Sequence, residues 1–277
     1  MTEAQQKIAG SAPPKEDDLK ASEAPLIEHL TELRTRLIYS IIALAVLFIL
    51  CFFVADQIYG FLLGPFVAAA GSPEAVRLIY TAPQEFFFTK LSVALFSAIF
   101  LAFPIIASQI YAFVAPGLYK NERLAFLPYL VATPICFLVG AALVYYGVMP
   151  LALGFFLGMQ QTDPSGVTIE MVTRVSEYLS LIMTLLLAFG VCFQLPVILT
   201  LLAQIGLIGV DNLKAWRKYA IVAIIVIAAF LTPPDPISQI GLAIPLLLLY
   251  ELSVFAVRIV EKRRLEREAQ LAKDLED

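Results

Sequence analysis

The sequence predicts an all-α membrane protein with six transmembrane helices in one bundle and both termini on the cytoplasmic side. Three observations predict it. Hydrophobic residues make up 60% of the chain and charged residues 15%, where a soluble domain carries about 25% charge. Uncharged runs long enough to cross a hydrocarbon core, roughly 20 residues, recur along the chain. The 19 Lys and Arg residues are also distributed one-sidedly. With six spans and an inside N-terminus, only Arg77, Lys90 and Arg174 fall on the outer side, the bias that the positive-inside rule demands.

Taken in order, residues 1–24 are polar, lack the apolar core of a signal peptide and read as a disordered cytoplasmic tail. The stretch "PLIEHLTELRTRLIYS" follows, with Leu26, Leu30, Leu33 and Leu37 at helical spacing, so an amphipathic helix leads into the membrane. The uncharged run 37–55 is the first span. Pro65 in "LLGPF" reads as a helix start and Pro104 in "AFPII" as a kink. Thr81 and Gln84 have capping-box spacing ahead of a second span over 86–114. A third span opens near residue 124 and is expected to end at Tyr145-Tyr146-Gly147 and Pro150, with 151–159 lying along the surface. The fourth runs from Tyr178 to near Gly206, kinked by Pro196.

Segments 219–234 and 236–250 are short. Two spans are preferred over a re-entrant hairpin, because "TPPDP" deep in lipid would leave backbone groups unsatisfied. Local bilayer thinning is expected around them. From residue 259 the chain reads as a charged cytoplasmic tail, so the membrane domain is 25–258.

The composition also excludes functions. No basic patch for nucleic acid exists. The single His29 lies in no nucleophile context, no His/Cys/Asp cluster forms a metal site, and no phosphate loop is present, so no enzyme, metal or cofactor is expected. Cys51, Cys136 and Cys192 sit inside apolar runs as small packing residues. A secondary transporter needs ionisable coupling groups at the midplane, and the midplane offers little beyond Gln194.

Five polar positions remain, each with a structural and a functional reading. His29, Glu32 and Arg36 share a helix face. Glu32 is either half of an i,i+4 pair with Arg36 or a carboxylate presented to a cationic partner. Glu122, in "FVAPGLYKNERLA", is either a first-turn acid complementing the helix dipole or a second such carboxylate. Gln194 is an interhelical hydrogen-bonding group or a contact for a bound segment. Asp235 is an N-cap or a partner contact. Glu251 either snorkels, pairs with Arg258 or meets a partner.

Four ordered stretches resemble one family. "HLTELRTRL", "FVAPGLYKNERL", "FGVCFQLPV" and "LTPPDPISQ" are similar to TatC, the multispanning receptor of the twin-arginine protein translocase, over nearly all of 25–258. The resemblance implies a concave bundle in a bacterial cytoplasmic (inner) membrane. It implies binding of twin-arginine signal peptides of folded precursors at the cytoplasmic face. It also implies assembly with the single-span subunits TatA and TatB, self-association in the receptor complex, and transport driven by the proton-motive force. Carried onto this chain, Glu32 and Glu122 contact the signal arginines. Phe113, Pro116, Leu118, Tyr119 and Arg34 shape that site, while Gln194, Pro65, Asp235 and Glu251 meet the signal or a partner helix. Some relatives carry Glu where this chain has Gln194, and a glutamine cannot ionise.

Overall fold

The computed structural model describes residues 16–72, 76–114, 123–162, 168–169, 172–231 and 236–274. Helices α1 (Glu16–Phe53), α2 (Ala55–Ala70), α3 (Glu85–Val114) and α4 (Arg123–Leu143) come first. A π turn (Val144–Val148) joins α4 to α5 (Met149–Gly158). Then follow α6 (Val175–Cys192), α7 (Leu195–Gln204), α8 (Val210–Leu231) and α9 (Pro236–Asp274). The only described strands are two-residue pieces, β1 (Leu78–Ile79) to β4 (Thr173–Arg174). β1 pairs in parallel with β4, and β2 (Gln161–Thr162) antiparallel with β3 (Thr168–Ile169). The molecule is all-helical in substance. Five stretches among the described residues are long and apolar enough to cross a membrane: His29–Phe53, Glu85–Phe113, Pro128–Gly158, Val175–Gln204 and Gln239–Arg267.

Contacts of α3 with α1 and with α6 define two ends. The near end holds Glu32, where Arg36 on α1 reaches Gln109 late in α3. The far end holds Glu85, which begins α3 and accepts a hydrogen bond from Ser176 at the start of α6. Glu85 also accepts from the amide and the hydroxyl of Thr81, at 2.8 and 3.0 Å. The cap predicted at Thr81 is therefore real in kind, but its partner is Glu85 rather than Gln84. A carboxylate four residues on reaches both donors of Thr81 at once.

Two expectations are corrected. Pro65 does not start a helix; it is buried inside α2. A proline there removes the N–H that would bond to the carbonyl of Phe61, four residues back. The Tyr145 hydroxyl donates to that carbonyl instead, at 2.7 Å. The π turn carries Tyr145, and the Phe61 and Tyr145 rings stack with centroids 4.5 Å apart. A Cβ at Gly64 would collide with the same hydroxyl.

The third membrane helix also does not stop at Tyr145. The π turn absorbs one extra residue without breaking the helix, and α5 continues with Ala152 and Leu153 buried. Segment 151–159 is thus packed helix and not a surface strip. Helix α9 runs on past residue 259 to Asp274, and α1 begins at Glu16.

The core follows the fourth expected span. Tyr178, Leu179, Ile182, Leu185, Leu186 and Phe189 are buried along α6 at three- and four-residue spacing. Tyr178 donates its hydroxyl to Leu62 O at 2.8 Å and stacks on Phe66. By contrast α1 leans on α3 and leaves Leu37, Ile41, Ile49 and Phe53 exposed. Replacing Tyr145 by Phe should destabilise the protein by about 1–3 kcal/mol, because the Phe61 carbonyl loses its partner. Replacing the exposed neighbour Tyr146 should cost under about 0.5 kcal/mol; thermal unfolding in detergent measures both.

Candidate functional site

Two features at and below the near end form the candidate site. The first is a polar cluster between α1 and α3. His29 stacks on Phe113 with ring centroids 4.2 Å apart. One turn along α1, Glu32 Oε1 lies 3.3 Å from Arg36 Nη2. Arg36 Nη1 donates to Gln109 Oε1 at 3.3 Å. Residues 29, 32 and 36 share a face of α1, and 109 and 113, four apart, share a face of α3. The two faces meet, which is why these five side chains converge.

The Glu32 and Arg36 side chains are 30% and 35% exposed. A half-hydrated ion pair of this kind contributes about 0.2–1 kcal/mol, so an incoming cation can displace Arg36 from Glu32 at small cost. Arg34 is exposed on the neighbouring face. Sequence reasoning missed Gln109. Its signal was available: a lone amide in an apolar run, one helical turn before Phe113. Glu122, Pro116, Leu118 and Tyr119 lie outside the described residues, on the connection from α3 to α4.

The second feature is an apolar groove of about 290 Å³ lined by Phe103, Ala107, Tyr111, Thr133, Gln194 and Ile198, among others. Gln194 occupies the break between α6 and α7, and Pro196 stands in the first turn of α7. Gln194 Nε2 donates to Thr133 O at 3.0 Å and to Gly190 O at 3.4 Å. Thr133 Oγ1 in turn donates to Tyr129 O at 2.9 Å and lies 3.0 Å from the Tyr111 hydroxyl. This spine joins α3, α4 and α6–α7 inside an otherwise apolar wall. The interhelical hydrogen bond expected of Gln194 is present, and its side chain still borders the groove.

The other expected contact residues lie elsewhere. Pro65 is on α2, away from the near-end cluster. Asp235 lies outside the described residues. Glu251 pairs with Arg217 of α8 at 2.7 Å, not with Arg258. The reason is antiparallel packing: α9 descends along α8, and Arg217 projects to the level of Glu251. Exchanging Gln194 for Leu should lower stability by about 0.6–2 kcal/mol, the range for interhelical side-chain hydrogen bonds in membranes, read as a lower midpoint of thermal unfolding in detergent.

Comparison with known proteins bears on the site. Residues 28–245 match a family model described as Sec-independent protein translocase protein (TatC). The Sec-independent protein translocase protein TatC of Magnetococcus marinus is 48% identical over 247 residues, covering 89% of each chain. That of Escherichia coli is 38% identical over 244 residues, covering 88% of this chain and 92% of its own. A crystal structure of a twin arginine translocase receptor, TatC, superposes with a TM-score of 0.73 at 37% identity. That match covers 84% of this chain and 99% of that one.

Proposed function

We propose that this chain, which belongs to the TatC family of Sec-independent protein translocase proteins, recognises twin-arginine signal peptides through the near-end cluster. The chain is a multi-pass membrane protein and a receptor component of the twin-arginine translocase. The observation that carries the site reading is the placement of Glu32. Its carboxylate pairs with Arg36, which in turn reaches Gln109 on α3, and one turn earlier on α1 His29 stacks on Phe113; Gln109 and Phe113 flank on α3 the residues Ile110 and Tyr111 that line the Gln194 groove.

The chemistry follows from that arrangement. One guanidinium of the signal takes the place of Arg36 on Glu32, and Gln109 keeps Arg36 engaged when it is displaced. The second guanidinium binds Glu122 on the α3–α4 connection. Phe113, Pro116, Leu118 and Tyr119 contribute to recognition of the signal, and Arg34 sets the local potential. Arginine is preferred to lysine because its planar fork makes two parallel charge-assisted bonds to one carboxylate. The apolar part of the signal lies in the groove beside Gln194, which offers hydrogen bonding without charge.

Six spans with both termini cytoplasmic place this cluster on the cytoplasmic face of a bacterial inner membrane. α8 counts as the fifth span in this reading. Its first half carries Lys214, Arg217 and Lys218, leaving an apolar stretch short enough to thin the bilayer locally. Residues 1–24 and 259–277 belong to the cytoplasmic side. Folded precursors, TatA, TatB and further copies of this chain are the partners, and the proton-motive force drives transport. Asp235, Pro65 and Glu251 act in partner contacts or in shaping the bundle.

The test is site-specific photocrosslinking from positions 34 and 121 to a twin-arginine signal and to its twin-lysine variant. Strong crosslinks to the first and weak ones to the second are expected; equal crosslinks to both would contradict the recognition chemistry. Glu32→Gln or Glu122→Gln should each weaken signal binding about tenfold or more, the worth of one charge-assisted hydrogen bond, while stability falls by no more than about 1 kcal/mol.

A further inference from the structure

The packing face of α9 changes character along its length. Leu242, Leu246, Tyr250, Val254 and Val257 are buried at spacings of three and four, one face of the helix. Glu261 and Arg264 continue that face and make polar contacts in place of apolar ones. Glu261 Oε2 accepts the N–H of Val210 at 3.0 Å, and Val210 opens α8. Arg264 Nη1 donates to the carbonyl of Ala203 at 3.3 Å, in the last turn of α7.

A helix start leaves N–H groups unpaired and carries partial positive charge, and a helix end leaves carbonyls and partial negative charge. An acid therefore caps the start of α8 and a base caps the end of α7, both from one turn of a third helix. The loop between them is shaped to admit this. Gly206 has φ +80°, and a Cβ there would collide with the Arg264 guanidinium; a Cβ at Gly209 would sit 2.8 Å from Glu261 Oε1. Nearer the bundle, Tyr250 donates to Leu213 O at 2.8 Å and Glu251 pairs with Arg217, continuing the same seam.

We propose that Glu261 and Arg264 are positioning residues for the signal groove. They clasp the α7–α8 turn and so hold α7, whose Ile198 and Leu201 wall the groove beside Gln194, at the spacing an apolar signal segment requires. The clasp lies in the part of α9 beyond residue 245, where the family match ends. The functional half of this proposal rests on the reading of the groove as the site for the signal's apolar segment.

The test exchanges the charges, Glu261→Arg together with Arg264→Glu, in the full chain. The exchanged residues remain of opposite sign at i and i+3 on α9 but present the wrong charge to each helix end. Amide exchange over residues 203–213 should then quicken about tenfold, the loss of a charge-assisted hydrogen bond. A photocrosslinker at position 198 should lose its product with the apolar segment of a twin-arginine signal, while a crosslinker at position 34 keeps its product. Glu261→Gln, which retains an acceptor oxygen, should restore the crosslink at 198, which Glu261→Ala does not.

Unchanged exchange over 203–213 in the charge-exchanged protein overturns the clasp. Faster exchange with an undiminished crosslink at 198 overturns its positioning role. If the charge-exchanged chain fails to accumulate, equal exchange and equal crosslinking in Glu261→Ala and Glu261→Gln overturn the proposal. A wild-type chain that gives no crosslink at 198 overturns the groove reading and the positioning role together, and amide exchange then judges the capping contacts alone.

Discussion

A bilayer core offers no water to an unpaired backbone group, so every carbonyl freed by a proline or a helix break must find a partner inside the protein. This chain places Pro65, Pro104, Pro128, Pro134 and Pro245 inside helices and breaks the α6–α7 helix at Gln194. Much of its polar chemistry answers that constraint. Tyr145 serves the Phe61 carbonyl, and Gln194 reaches the backbone of both Gly190 and Thr133. Where α7 ends and α8 begins, Arg264 and Glu261 of α9 also bond to backbone groups, the Ala203 carbonyl and the Val210 N–H. These contacts let short, kinked helices pack as one body, and the kinks open the groove beside Gln194.

Seen this way, the near-end cluster differs from the other polar groups. Glu32, Arg36 and Gln109 bond to one another's side chains rather than to a backbone that needs them. They are half-exposed and weakly tied, so their pairing can be exchanged at little cost in stability. A receptor that must bind and release two arginines needs groups of that sort, set on a rigid frame. The stacked His29 and Phe113 fix α1 to α3 beside them, and the frame elsewhere is held by backbone-directed bonds.

Much of the bundle was legible in the sequence because its long helices are uncharged and separated by charge. The second span was expected at 86–114 and is Glu85–Val114. Legibility failed where tertiary contacts replace local signals. Pro65 looks like a helix start until Tyr145, distant in sequence, supplies the missing bond. Gly147 and Pro150 look like an ending, yet the π turn carries the helix through them. Glu251 pairs across to α8 because of the antiparallel packing, which no local spacing encodes. In the site, Gln194 is legible as an amide in an apolar run and Glu32 as an acid on the polar face of an amphipathic helix. Gln109 carries the same lone-amide signal, but its role depends on which face of α3 meets α1.

The central claim is that Glu32 binds an arginine of the signal as a paired charge. The most direct measurement is a double-mutant cycle on signal-peptide affinity, crossing Glu32→Gln in this protein with arginine-to-glutamine replacement at each signal arginine in turn. The account predicts a coupling of about 1.5 kcal/mol or more with one of the two arginines, in the range found for close charge pairs across an interface. Coupling near zero with both would contradict it.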